Sequence, residues 1–377
     1  YAESALEKNE DGELVCPDCK RPVQKAGGEE NWFFKLSEFG DKLLAFYEEN
    51  PDFIRPETRK NEIVSFVKSG LKDLSISRST FDWGVPLPFD EGHVAYVWAD
   101  ALLAYLTGIG YGDEGERAGE FDARWPMQYH FVGKDITRFH CVIWPAMLMA
   151  AGLPITHTVF GHGFLLTKGE KMSKSKGNAL KPADLCKVFG VDAYRYYFMS
   201  DVQFGADGSI SMERMVQVYN ADLANTWGNL CSRVFNMTKK YFDGQVPEVP
   251  AEVLANENPL RAITEELYAE YDAALGAVDF TAAAAAVQKL AGRVNLYVEE
   301  SAPWNLAKSE ETAGELAEVI YNALEAIRII ALYMAPFMPN TSAEVFRRLS
   351  LGDIEAVTDI EAATAWGQLP AGNPVEI

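Results

Sequence analysis

The chain has 377 residues, 48% hydrophobic and 24% charged, with 34 Lys and Arg against 55 Asp and Glu and a formal net charge of −21. These figures describe a globular chain of two to three domains; no apolar run is long enough to span a bilayer, and no basic region followed by an apolar one opens the chain, so nothing points to export. Five cysteines, an odd number, point to thiols or a metal site in a reducing cytoplasm, and the acidic surface leaves a polyanion only a local basic footprint.

Residues 1–35 are polar and turn-rich and carry one Cys-x-x-Cys, Cys16 and Cys19. Over 36–51, Phe39, Leu43, Leu44 and Tyr47 fall at helical spacing, and Pro51 stops the helix. Residues 71–86 read as extended. A β-rich piece at 93–97 leads into a helix that Gly108 and Gly110 end. YHFVGKD (129–135) reads as a buried strand, and 136–152 as a helix kinked at Pro145. The β-branched and aromatic stretch 155–166 predicts a strand pair. Strand, helix, strand in this order predicts a parallel α/β unit with a right-handed crossover.

Beyond about residue 211 the pattern becomes helical. Met215, Tyr219, Leu223, Trp227, Leu230, Val234, Met237 and Tyr241 are spaced by steps of three and four, as in a long amphipathic helix. An Ala-rich helix follows from about 281 to SAPW (301–304), and a third from Glu311 to about Tyr333, before Pro336 and Pro339. Thr341 and Glu344 have capping-box spacing for a last helix. Residues 243–259 read as a loop, so the second half is a helical bundle.

Several groups of residues carry chemistry. GEKMSKSKGN (169–178), with Lys168 before it, places Lys168, Lys171, Lys174 and Lys176 on one glycine-flanked loop after a strand. Flexible lysines suit phosphate oxygens that move during a reaction; the bland alternative is a solvated basic loop. Gly133 and Asp135 end a predicted strand, where open α/β sheets bind ligands. Ile136, His140 and Trp144 follow at i, i+4, i+8, and Trp98, Ala101, Leu102 and Tyr105 share another helical face. On spacing alone each stripe reads as core; together they can enclose a large apolar pocket with few polar groups. Asn225, Asn229 and Arg233 form a polar stripe of the same spacing, which reads as a solvated face unless RNA bases meet it. Cys16 and Cys19 supply two of the four ligands a structural zinc needs, or simply a thiol-bearing turn.

Lys-Met-Ser-Lys-Ser (171–175) resembles the lysine loop of class I aminoacyl-tRNA synthetases, and the stripes at 96–105 and 131–148 narrow the likeness to the methionyl-tRNA synthetases. The resemblance spans essentially the whole chain. It implies an α/β fold: the second half of a Rossmann-like parallel-sheet nucleotide domain with a connective insertion, then an α-helical anticodon-binding bundle. The implied division is 1–72 connective insertion, 73–161 sheet domain, 162–212 lysine-loop and stem-contact region, and 213–377 anticodon-binding helices. The implied activity is ATP-dependent ligation of L-methionine to tRNA(Met) through methionyl-adenylate. By resemblance Lys171 and Lys174 are catalytic, and Gly133, Asp135, His162 and Lys174 bind ATP. Trp98, Ala101, Leu102, Tyr105, Ile136, His140 and Trp144 line the methionine pocket; some family members carry proline at the position of Leu102. NLCSR (229–233) and SAPW carry Asn229, Arg233 and Trp304 over as anticodon readers. Mg²⁺ would accompany ATP, and Zn²⁺ on Cys16 and Cys19 would need a partner pair, which could lie upstream.

The family's His-x-Gly-His signature precedes the lysine loop, and no such motif stands before Lys171. Tyr1 is therefore read as a break inside a larger protein, whose N-terminal segment is a further partner and without which this chain should not form the adenylate. Two rivals remain: a class I ligase for another amino acid, and a non-catalytic tRNA-binding module. The first lacks its editing insertion or zinc ligands here; the second would have no use for the lysine loop and pocket together.

Overall fold

The buried apolar side chains gather into two separate cores, one in each of two compact units, Tyr1–Gly161 and His162–Ile377. The computed structural model describes residues 6–9, 12–16, 21–23, 30–167, 170–171, 180–256 and 258–377, with backbone only for 170–171.

The first unit is organised on a three-stranded sheet in the order Ile54–Arg55, Thr158–His162, Tyr129–Gly133. Val159 and Phe160 run parallel to Ile54 and Arg55. The central strand is buried along its first four residues, as a strand covered on both faces must be. Tyr129–Gly133 alternates, turning His130 and Val132 inward and Tyr129 and Phe131 outward. The stretch 1–72, expected as insertion, thus contributes a strand to this sheet. It also contributes the helix Glu57–Lys68, which buries Ile63 and Val67 and was not legible beforehand. An antiparallel sheet of Ser77–Arg78, Asp90–Ala95 and Pro86–Leu87 leads into the helix Val97–Thr107, as the β-rich lead predicts.

Residues 139–151 form one helix in two geometries, a π segment Phe139–Ile143 followed by α-helix Trp144–Ala151. Pro145 has no N–H, so the Cys141 carbonyl one turn back loses its helical donor. The buried Tyr47 hydroxyl donates to that carbonyl instead, at 2.5 Å. The kink expected at Pro145 therefore appears as a change of helix geometry.

The strand pair expected over 155–166 is two strands that do not pair with each other. Thr158–His162 belongs to the first sheet, whereas Leu165–Thr167 pairs antiparallel with Glu170–Lys171 and parallel with Gly208–Ser209. β-branched and aromatic content sets strand propensity but not the partner.

The second unit is the expected bundle. A continuous helix over 212–242 comprises Met212–Val218, a ten-residue π segment Tyr219–Gly228, and Asn229–Phe242. Phe280–Ser301 begins where Asp279 caps the Ala282 N–H at 2.9 Å. Ala313–Met334 is buried on every side from Val319 onward and forms the centre. Pro259–Gly276 begins on the last residue of the expected loop, which itself holds the short helix Ala251–Leu254; Asn258 accepts from the Leu260 and Arg261 N–H groups at 3.0 and 2.8 Å, and Pro259 takes the first helical position.

The last helix corrects an expectation. It begins at Pro339, not at a Thr341–Glu344 capping box. The Thr341 N–H and hydroxyl both donate to Asp192 Oδ2, at 2.6 and 2.7 Å, while Glu344 accepts from Arg347 and Arg348. A carboxylate from the helix Val191–Ser200 caps this helix in place of a local hydroxyl. Deeper in the bundle, Glu325 accepts from Arg328 at 2.7 and 2.8 Å and from the N–H groups of Gly367, Gln368 and Leu369. That pair fastens the C-terminal loop to the central helix.

Candidate functional site

In the first unit, the helix Val97–Thr107 and the segment 136–144 bring their stripes together. The Tyr105 hydroxyl lies 2.7 Å from His140 Nε2, and His140 Nδ1 lies 3.0 Å from the Ile136 carbonyl oxygen. The carbonyl can only accept, so Nδ1 carries the proton and Nε2 accepts from Tyr105. Burial pushes the His140 pKa below its ordinary value. Around this bond stand Trp144, 6.1 Å from the Tyr105 ring, and Trp125, 6.1 Å from Trp144. Trp98 stacks on Phe139, the neighbour of His140, with centroids 3.9 Å apart. Leu102 and Trp144, each 1% exposed, are embedded in the unit's core; Ala101 is exposed and Ile136 half-buried.

Three residues join this group that the sequence reading did not name. His130 sits with its ring 4.4 Å from Tyr105 and 5.7 Å from His140. Burial, helped by the neighbouring His140, pushes its pKa down to about 4. The alternation of the strand Tyr129–Gly133 was the available signal, since it puts His130 on the inward face with Val132. Phe139 and Trp125 complete the ring-lined group. The assembly is a set of aromatic rings around two uncharged imidazoles and one phenol, suited to an uncharged, polarisable apolar group.

Gly133 ends its strand and accepts the Ile136 N–H at 3.0 Å. A Cβ at Gly133 would lie 2.6 Å from Asp135 Oδ1, so the bare Cα lets the carboxylate fold against the strand end. Asp135 itself is exposed.

His162, the last residue of the strand Thr158–His162, is the first residue of the second unit. Its Nδ1 is 2.9 Å from the Gly163 carbonyl oxygen, and its ring stacks on Phe204 at 5.6 Å. It faces a cavity of about 500 Å³ walled chiefly by Phe164, Leu165, Phe198, Met199 and Phe280. The Lys171 backbone pairs with Leu166. The Lys171 side chain and Lys174 lie outside the described residues.

On the bundle, Asn225 and Asn229 are exposed, and Arg233 follows one turn on. The Arg233 guanidinium sits 5.1 Å over the Trp304 ring and donates to Glu299 at 2.8 Å. Trp304 is 38% exposed, on a short helix Pro303–Leu306 that starts after the left-handed Ala302. A cation stacked on a half-open indole, with amides alongside, is a surface on which an unpaired base can stack and hydrogen-bond. Glu299 is the residue here that the sequence reading missed.

Cys16 donates its N–H to Arg21 O at 2.9 Å; Cys19 lies outside the described residues. Among the described residues no group of three or more His, Cys, Asp or Glu is placed to hold a metal ion. Among them, too, no helix is long and apolar enough to cross a membrane.

Two family models match the chain: "tRNA synthetases class I (M)" over residues 3–235 and "Anticodon binding domain of methionyl tRNA ligase" over 246–377. A methionine–tRNA ligase from Caldanaerobacter subterraneus is 47% identical over 95% of this chain and 54% of its own length. One from Streptomyces coelicolor is 47% identical over 97% and 68%, and one from Bacillus subtilis 43% over 98% and 56%. The chain thus spans between half and about two thirds of these relatives. Among solved structures, Mycobacterium tuberculosis methionyl-tRNA synthetase in complex with methionyl-adenylate matches all of this chain and 72% of its own, at 40% identity and a TM-score of 0.89. The apo form of the same protein matches at 0.87.

Proposed function

The chain belongs to the methionyl class I aminoacyl-tRNA synthetases, and on that premise we propose that it forms the methionine-recognising and anticodon-binding part of a methionine–tRNA ligase acting in the cytoplasm. We assign 1–72 to the connective insertion, which lends the strand Ile54–Arg55 to the sheet of 73–161, and we assign 162–212 to the lysine-loop and stem-contact region and 213–377 to the anticodon-binding helices.

The observation that carries the reading is the Tyr105–His140 hydrogen bond inside a ring-lined group. A methionine side chain is uncharged and unbranched, and its sulfur gains roughly 0.3–1.5 kcal/mol against aromatic rings. Neutral imidazoles leave such a group unopposed by charge, and the lowered pKa values of His130 and His140 keep them neutral near pH 7. Trp98, Ala101, Leu102, Tyr105, Ile136, His140 and Trp144 are assigned to this pocket, with Leu102 and Trp144 acting as its packed wall.

The reaction needs no covalent enzyme intermediate. The methionine carboxylate attacks the α-phosphorus of ATP, pyrophosphate leaves, and the terminal ribose of tRNA(Met) then takes the methionyl group. Gly133, Asp135 and His162 are assigned to the nucleotide. Lys171 and Lys174 are assigned to the charge that builds on the leaving pyrophosphate. Mg²⁺ would accompany the triphosphate and offset its charge. Zn²⁺ on Cys16 and Cys19 needs two further ligands, which the described residues do not supply. Asn229, Arg233 and Trp304 are assigned to the anticodon.

The test is pyrophosphate exchange by the full-length protein across the set of amino acids. Exchange that depends on methionine alone supports the reading. Exchange driven by a branched-chain amino acid or cysteine would transfer it to another ligase, and none at all would leave an RNA-binding module.

A further inference from the structure

The helix that carries Asn229 and Arg233 is not regular where it reaches them. Residues Tyr219–Gly228 run in π geometry for ten residues and end directly at Asn229. Such geometry is rare and usually confined to single turns, so a run this long needs support from outside the helix. Three features mark the wider turn. The Asn229 N–H donates to Ala224 O, five residues back. The Thr226 hydroxyl donates to Ala221 O, again five back, at 2.8 Å. The bare Gly228 leaves room for the Leu223 carbonyl oxygen, which a Cβ there would meet at 3.0 Å.

Two neighbouring helices hold the segment. From Val191–Ser200, the buried Tyr196 hydroxyl donates to Asp222 Oδ2 at 2.9 Å, and it accepts from Gln288 Nε2 at 2.9 Å. From Phe280–Ser301, Asn295 Nδ2 donates to the Thr226 carbonyl oxygen at 3.1 Å. Asp222 and Thr226 both lie inside the π segment.

We infer that Tyr196, Asp222, Gln288 and Asn295 are positioning residues that hold the π segment in register and thereby aim Asn229 and Arg233 at RNA. The inference rests on the anticodon reading above. If one residue relaxed out of the π turn into α-helix, everything beyond it would rotate by about 100° and shift by about 1.5 Å. Arg233 would then leave the face of Trp304 and the Glu299 carboxylate. Of the network only Tyr196 is buried, with Asp222, Gln288 and Asn295 half-buried, and a purely structural role for it is the competing outcome.

The test uses the full-length protein and a short RNA hairpin bearing a CAU loop, with binding read by fluorescence anisotropy. Tyr196→Phe combined with Asn295→Leu should weaken hairpin binding about tenfold and raise KM for tRNA in aminoacylation. Methionine-dependent pyrophosphate exchange should stay at the parent level. Asp222→Asn keeps an acceptor for Tyr196 and should bind like the parent, whereas Asp222→Leu should not. Trp304→Ala serves as the reference. If Trp304→Ala weakens the hairpin and a folded double variant does not, the positioning role is wrong while the anticodon reading stands. If Trp304→Ala has no effect, the anticodon reading itself fails. If Asp222→Asn and Asp222→Leu lose binding equally, or exchange falls in step with binding, the network is structural only and the inference is overturned.

Discussion

Replacing Tyr105 with Phe removes one oxygen and isolates the proposed role of the Tyr105–His140 pair. In the parent, His140 Nε2 accepts from Tyr105 at 2.7 Å while Nδ1 is committed to the Ile136 carbonyl, and the residue is 2% exposed. The imidazole cannot exchange tautomers without giving up the Ile136 bond. Tyr105→Phe therefore leaves a buried acceptor with no donor, at about 1–3 kcal/mol. For a unit of this size that lowers the melting temperature by about 4–8 °C, taking 2 kcal/mol as the middle value. If the group lines the proposed pocket, an unpaired Nε2 also recruits water, which a thioether must then displace without replacing its hydrogen bond. KM for methionine in pyrophosphate exchange should rise about tenfold, equivalent to about 1.4 kcal/mol. KM for ATP should be unchanged, and discrimination against norleucine, which puts a methylene in place of sulfur, should shrink. The aromatic ring survives the substitution, so its contact with sulfur persists and the loss should stay below about 3 kcal/mol. A lower melting temperature with KM and norleucine discrimination unchanged would show that the pair is core and not pocket.

Three further outcomes follow from the structure. The His130 pKa near 4 lies below the ordinary 6.5, so the unfolded chain binds a proton first as pH falls; its contribution is complete above about pH 6.5 and declines by about 3 kcal/mol toward pH 4. His140 acts in the same direction, and His130→Phe should flatten the denaturant-measured stability profile between those limits. Glu325→Leu removes the counter-charge of the buried Arg328, which keeps only the Ala363 and Ala365 carbonyls, and the acceptor of three backbone N–H groups, so it should lower stability by about 3–5 kcal/mol, and adding Arg328→Met should recover part of that in a double-mutant cycle. Trp304→Ala should weaken tRNA binding by about 1–3 kcal/mol while sparing methionine-dependent exchange, and equal loss in both assays would count against an anticodon role.

The helices with strong periodicity or clear stops were legible in the sequence. Gly40–Glu49, Val97–Thr107, Phe280–Ser301 and Ala313–Met334 fall where apolar spacing and Pro or Gly punctuation put them. Strand partners were not, because β-rich composition over 155–166 says nothing of which edge each strand finds. The Thr341 cap failed for a related reason: local spacing proposed Glu344 as its partner, and a carboxylate 149 residues away supplied the bond. At the candidate site, the stripes through Tyr105 and His140 were visible as periodicity and were expected to share one pocket, but the direct bond between the two side chains was not legible. His130 was hidden because a single histidine in a strand reads as satisfied core, and only its placement against Tyr105 gives it a role. Arg233 and Trp304 lie 71 positions apart in sequence, and no local pattern brings a guanidinium over that indole.

The two candidate stripes share a feature that spacing alone already encodes. Ile136, His140 and Trp144 are separated by steps of four, and so are Asn225, Asn229 and Arg233. On an α-helix each such step overshoots a full turn by about 40°, so a third member of the row would lie about 80° off the first. Such a row drifts around the cylinder instead of forming one face. In both places the backbone widens within the row, at Phe139–Ile143 and at Tyr219–Gly228. A π turn takes up the extra residue and counters the drift. The longer helix shows the same arithmetic in its apolar row, where Met215, Tyr219, Leu223 and Trp227 take three steps of four in succession before the spacing returns to mixed threes and fours. The widened stretch begins within that run and ends one residue past it. A reading that accepts three and four interchangeably sees one regular helix; a reading that sums the overshoot, about 120° over those three steps, finds the segment that places Asn229 and Arg233.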